Sequence, residues 1–143
     1  RHTRLRTVTG VQTCALPISN FQPHFHLRGK AMQVEAIFPD GRTQVISYVK
    51  DFNFNWMTNY IYTDEASPVF PKGTIIHVSA YYDNTKANKS NPDPDQWVGY
   101  GDRTVDEMAH AWMNVYYLND QEFAEYQKTH QPLGGRNNTQ QQQ

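Results

Sequence analysis

The residues best suited to chemistry are two histidines separated by one position, His24-Phe25-His26. On an extended chain, residues i and i+2 project from the same face, so both imidazoles could meet a single metal ion. Histidines at that spacing also serve as ordinary surface or core residues, and spacing alone does not separate the two roles. His77 and His110 are further imidazoles without such a neighbour, and Met108 lies in an apolar stretch where a methionine by default fills space. Asp93, Asp95 and Asp102 offer hard oxygen ligands of the kind calcium takes. They lack the one-three-five spacing that closes on a glutamate, which favours turn and cap roles. Ser47, Ser67, Ser79 and Ser90 stand in no nucleophile-elbow context, so a serine hydrolase is unsupported.

The elements that must position these groups read as strands. From Ala31 to Phe38, Met32, Val34, Ala36 and Phe38 alternate with Gln33, Glu35 and Ile37, the period of a half-buried strand. Pro39-Asp40-Gly41-Arg42 supplies turn chemistry, and a second strand follows from Thr43 to Val49. Phe52, Phe54, Trp56, Thr58, Tyr60 and Tyr62 share one face of an alternating run that predicts a core strand. Pro71-Lys72-Gly73-Thr74 is another turn before a strand from Ile75 to Tyr82. The stretch from Asp83 to Asp102, dense in Asn, Asp, Pro and Gly, predicts a long surface loop. Glu107 to Leu118 predicts a buried strand with Met108, His110, Trp112, Asn114 and Tyr116 on one face and Met113, Val115 and Tyr117 on the other. Asn119 is placed to cap one short helix reaching Thr129, and Gln131 to Gln143 is expected to be a disordered tail. The sum is an all-β, antiparallel β-sandwich of jelly-roll type.

The first 19 residues raise a different question. Val8 to Ile18, VTGVQTCALPI, resembles the in-frame translation of a common sequencing-library adapter, and the residues before it resemble the primer upstream of that adapter. Arg1 to Ser19 is accordingly expected to lie outside the domain; the alternative is a natural basic leader or the end of a signal peptide, for which the segment is too short and polar. It carries the single Cys and three of the 13 Lys and Arg, but none of the 14 Asp and Glu, so the remainder is mildly acidic. That balance argues against a nucleic-acid partner, which calls for a basic face. No apolar run approaches the length of a membrane span. One soluble domain with a single core is expected, from a reading frame whose beginning lies upstream of Asn20.

PHFHLRGKAMQVEAIFPDGR (Pro23 to Arg42), DFNFNWMTNY (Asp51 to Tyr60), PKGT (Pro71 to Thr74), YYDNT (Tyr81 to Thr85), NPDPD (Asn91 to Asp95) and GDRTVDEM (Gly101 to Met108) follow one another in that order. Together they resemble the C-terminal domain of copper type II, ascorbate-dependent monooxygenases, above all bacterial relatives that carry HMHLRGK, DFNWQ and WGDQTWDEM. The resemblance spans about Gln22 to Leu118. It implies that His24, His26 and Met108 bind the copper at which oxygen is activated. Imidazole suits both oxidation states of copper, and a soft thioether favours Cu(I). It also implies an upstream domain holding a second copper on three histidines, reduced by ascorbate, and a protein working in the periplasm or outside the cell.

Departures from the family bear on substrate. Members that oxidise peptidylglycine carry Arg two residues before the first ligand and Tyr four residues after the Met; here these positions are Gln22 and Trp112, and the Asn two residues beyond the Met is His110. Without that Arg, bidentate capture of a terminal carboxylate is unsupported. Gln22, His110 and Trp112 are expected to line the substrate side, with His110 a further candidate ligand, or else to be core residues. Asp102, Asp106 and Glu107 are expected to orient ligands by hydrogen bonds, or to cap the loop. Three readings follow: a monooxygenase domain acting on a small molecule with dioxygen, a copper-binding module without catalysis, and an adhesion or ligand-binding sandwich whose His-x-His is incidental.

Overall fold

The computed structural model describes residues 4–9 and 14–129 of the 143-residue chain. Its elements in order are β1 (Arg4–Thr9), β2 (Leu16–Pro17), β3 (Asn20–Phe25), β4 (Gly29–Ile37), β5 (Thr43–Val49), β6 (Tyr60–Ile61), a 3-10 turn (Asp64–Ala66), β7 (Val69–Phe70), β8 (Ile75–Tyr82), β9 (Ala109–Trp112) and α1 (Asp120–Thr129). The larger sheet runs β1-β8-β4-β5, a second β6-β3-β9, and a two-stranded piece β2-β7, all antiparallel. The fold is an all-β sandwich with a single short helix among the described residues.

The core forms where the alternating faces meet. Met32, Val34 and Ala36 of β4 and Ile76, Val78, Ala80 and Tyr82 of β8 cluster with Phe21 and Phe25 of β3 and with Phe70. Phe25 is wholly buried, its ring 4.9 Å from Phe52 and 5.4 Å from Tyr82. Because side chains alternate along β3, burying Phe21, Pro23 and Phe25 turns Gln22 and His24 to the opposite face. The β4–β5 turn closes as expected, with Gly41 at φ 85°, a conformation that glycine takes without steric cost.

Two expectations need correction. The aromatic run from Phe52 to Tyr62 is not a core strand: only Tyr60 and Ile61 pair, with Asn20 and Phe21, and Trp56 is 76% exposed. Asn53 diverts the chain, its Oδ1 accepting from the Asn55 N–H (3.0 Å) and its carbonyl from the Trp56 N–H (2.9 Å), so local turns replace a ladder. Beyond Trp112 the predicted buried strand gives way to isolated bridges, Val115 with Ile18 and Leu118 with Ala15, and Tyr116 and Tyr117 are exposed. The described part of the segment read as adapter-like sequence is placed against the sandwich. Leu16 and Ile18 belong to the core cluster, Ala15 is buried, and the β1 backbone pairs along β8 from Arg4↔Tyr81 to Thr9↔Ile76. The alternation of Leu16 and Ile18 fits a slot beside Phe70, and that packing is independent of how the codons arose.

The helix begins as predicted. Asn119 Oδ1 accepts the Glu122 N–H and Glu122 Oε2 accepts the Asn119 N–H, both at 2.9 Å, a reciprocal capping box. The predicted tail, 131–143, lies outside the described residues. No described helix is long and apolar enough to cross a membrane.

Packing of the early segment makes a clear prediction. Leu16→Ala should lower the unfolding free energy by about 2–5 kcal/mol, read from urea denaturation followed by tryptophan fluorescence. An unchanged midpoint would mean that residues 15–18 contribute nothing to the domain.

Candidate metal centre

The site is built where β3 meets β9. Their antiparallel register pairs Gln22 with Trp112, Pro23 with Ala111, His24 with His110 and Phe25 with Ala109. His26 directly follows β3 and Met108 directly precedes β9, so both lie just past the same end of this ladder. Within it, Gln22 and His24 share a face with Trp112 and His110, so four residues singled out in the sequence form two cross-strand pairs on one surface.

The rings are in contact. His24 and His26 have centroids 5.5 Å apart in edge-to-face geometry, His24 stacks on His110 at 5.9 Å, and His110 meets the edge of Trp112 at 5.4 Å. In that stack His110 turns its face to His24, which sets it beside the ligand pair. Partial burial, followed by the neighbouring His26 and His110 imidazoles, holds the pKa of His24 below its ordinary 6.5. A neutral imidazole at physiological pH has its lone pair free for a metal.

His26 is 7% exposed, and its Nδ1 lies 3.1 Å from the Asp106 carbonyl oxygen. That acceptor fixes the tautomer with the proton on Nδ1, leaving Nε2 as the donor to a metal. Met108 is 9% exposed, yet it stands outside the main apolar cluster that takes in Met32. The buried thioether lies one residue before β9, the strand that pairs with the histidine strand. Among the described residues, no three His, Cys, Asp or Glu side chains form a metal-holding group. A set of two imidazoles and a thioether contains only two such side chains, both His, and its donor chemistry fits copper, the soft sulfur matching the reduced ion.

Of the two parts expected for the acids, the hydrogen bonds of Asp106 and Glu107 side chains are those of loop bracing. Asp106 contributes its main-chain carbonyl to His26, while its carboxylate is taken up by Arg103, at 2.7 Å from Nη2 and 3.0 Å from Nε, which holds it well below the usual carboxylate range. Glu107 Oε1 accepts from Asn84 Nδ2 at 2.5 Å, and its backbone joins Gly99 and Gly101, bracing the loop. Asp102 is exposed, and no hydrogen bond ties its side chain to the histidines. Two contributors escaped the sequence reading. Arg28, 3% exposed, donates from Nη1 to the Val105 carbonyl. Gly29 lets the chain fold back over Phe25: a Cβ there would stand 2.2 Å from Phe25 Cβ. The Gly in HLRG is the visible signal, since a glycine in a strand often marks close backbone approach, and Gly29 is the first residue of β4.

A cleft of about 590 Å³ lies nearby, lined by Leu27, Gly29, Phe52, Asp83 and Asn88 among others, and includes none of the three candidate ligands. The ligand face opens instead on the outer side of the small sheet, where Trp112 is 58% exposed. No protein-family model matches the chain, and no curated protein matches it significantly.

Two measurements check this geometry. NMR titration of the metal-free protein should place His24 below 6.5. Because its folded-state pKa lies below the unfolded value, its share of stability is complete above about pH 6.5 and declines as pH falls toward the folded-state pKa. His24→Gln should flatten that decline, and a His24 pKa at or above 6.5 would contradict the clustering of imidazoles. Gly29→Ala should cost about 1–3 kcal/mol through the forced shift against Phe25, seen as a lower melting temperature.

Proposed function

We propose that the chain is the oxygen-activating copper domain of an ascorbate-dependent monooxygenase that hydroxylates a C–H bond of a small molecule, with His24, His26 and Met108 as the copper ligands. The observation that supports this reading is the β3–β9 register, which pairs His24 with His110 and ends with His26 and Met108 as the next residues along the two chains. The ordered sequence blocks around those residues supply the family context. When bound, copper would supply oxygen activation, with electrons reaching it from ascorbate through a second copper domain of the same protein.

The chain's own residues do the remaining work. His26 is oriented by its Nδ1 hydrogen bond to the Asp106 carbonyl, so its ligating nitrogen does not rotate away. Desolvation and its neighbours keep His24 unprotonated. Gln22, His110 and Trp112 extend from the ligands along the same face and offer a flat, largely aromatic and uncharged surface to a substrate. Its openness to solvent suits a site completed by a facing domain. By the same resemblance the protein works in the periplasm or outside the cell, away from a reducing cytosol.

Anaerobic addition of Cu(I) to the purified chain, followed by X-ray absorption, tests the assignment. One sulfur and two imidazole scatterers are expected, with Met108→Ile removing the sulfur and weakening Cu(I) binding by tenfold or more, about 1.4 kcal/mol. Copper bound without sulfur would reject Met108, and failure to bind copper would leave a sandwich whose histidines are incidental.

A further inference from the structure

Arg28 is the most anomalous side chain near this face. Its residue is 3% exposed, no carboxylate among the described residues pairs with it, and its Nε has no hydrogen-bond partner. Its one side-chain bond is from Nη1 to the Val105 carbonyl. A guanidinium withdrawn from water and left partly unsatisfied is costly, and a residue that served only to fill this space would be apolar. The arm that carries it is firmly held: the Arg28 carbonyl accepts the Asp83 N–H at 2.8 Å, the Leu27 carbonyl accepts from Asn88 Nδ2 at 3.4 Å, and the Gly29 N–H bonds back to His26 at 3.0 Å.

We propose that Arg28 is a positioning residue for Met108. Arg28 and His26, two residues apart in one tight turn, grip the consecutive carbonyls of Val105 and Asp106. Those two carbonyls immediately precede the Glu107-Met108 step that leads into β9. The β3–β9 ladder holds the far side of Met108, from Ala109 onward. The grip holds the near side, so the methionine is fixed from both directions against the turn that presents His26. In the absence of Arg28 the His26 bond would have to orient its own ring and also hold the Val105–Asp106 step, with only the Glu107 contacts to Asn84, Gly99 and Gly101 left to place the incoming segment. The chemical role is to set the reach of the thioether toward the imidazole pair, and Arg28 itself touches neither copper nor substrate. The assignment rests on the proposed copper site for its purpose, but the placement of Met108 is testable without any metal.

The test uses the full chain with ¹³C-methyl-labelled methionine, first metal-free and then with Cu(I). Arg28→Lys keeps the cation and loses the planar fork; Arg28→Met removes the charge at similar bulk, a replacement that buried charges commonly tolerate. The Met108 methyl resonance of the metal-free variants is expected to shift or broaden while those of Met32, Met57 and Met113 stay near their wild-type positions. Cu(I) affinity should fall roughly 10- to 100-fold, with the sulfur contribution to X-ray absorption reduced and both imidazoles retained. A purely structural role would lower the melting temperature and leave the Met108 methyl and the copper–sulfur signal unchanged in the folded variants; that result overturns the proposal. Failure of both variants to fold also overturns it, since Arg28 would then be a requirement of the core. If the wild-type chain binds no copper, the copper reading fails, while the metal-free methyl spectra still decide whether Arg28 places Met108.

Discussion

The antiparallel register between β3 and β9 is the constraint on which the rest of the site depends. Pairing His24 with His110 and Phe25 with Ala109 commits every neighbouring residue to a face, because the side-chain period of a strand is two. A slip of one residue on either strand would send the histidines inward against Phe70 and bring the phenylalanines into water. The register is therefore held by the core: Phe21 and Phe25 on one strand, Ala109 and Ala111 on the other, pack toward β4 and β8. Core packing and ligand placement are two sides of one ladder.

The small residues on β9 matter as much as the large ones on β3. Ala109 and Ala111 let β9 approach the wholly buried Phe25 without forcing the strands apart, while His110 and Trp112 extend on the outer face. The loop that delivers Met108 is closed by local means, with the Arg103–Asp106 pair and the Asn84–Glu107 bond. Exposed ion pairs of the first kind contribute little to stability. Their effect here is on shape, directing the Val105 and Asp106 carbonyls toward the turn formed by His26 and Arg28.

The contrast between the histidines is instructive. His26 is covered and held by a main-chain acceptor, whereas His24 lies at the sheet surface with its ring between two others. Under the proposed copper site, a fixed ligand beside a more open one would leave room at the ion for a small molecule, as a site of three protein donors does. His77, the imidazole without a role in this arrangement, pairs with Glu35 across β4 and β8 at 3.3 Å and takes no part in the ligand face.

Local chemistry was legible in the residues themselves. The alternation over Ala31 to Phe38, the glycine turn at Gly41, the Asn119 cap and the shared face of His24 and His26 all depend on neighbours a few positions away. The aromatic run from Phe52 to Tyr62 misled because its period of two was real, but Asn53 captured the backbone first. Leu16 and Ile18 lie in the stretch that resembles adapter sequence, and their packing beside Phe70 and its neighbours is set by tertiary structure. By itself the sequence determined which groups could bind a metal and which of them share a strand face. Tertiary structure alone decided that β9 lies beside β3, that His24 comes opposite His110, and that main-chain carbonyls rather than Asp102, Asp106 or Glu107 carboxylates hold the turn. Those facts depend on pairing across some 80 residues of chain, the separation between His26 and Asp106, where no local periodicity carries information.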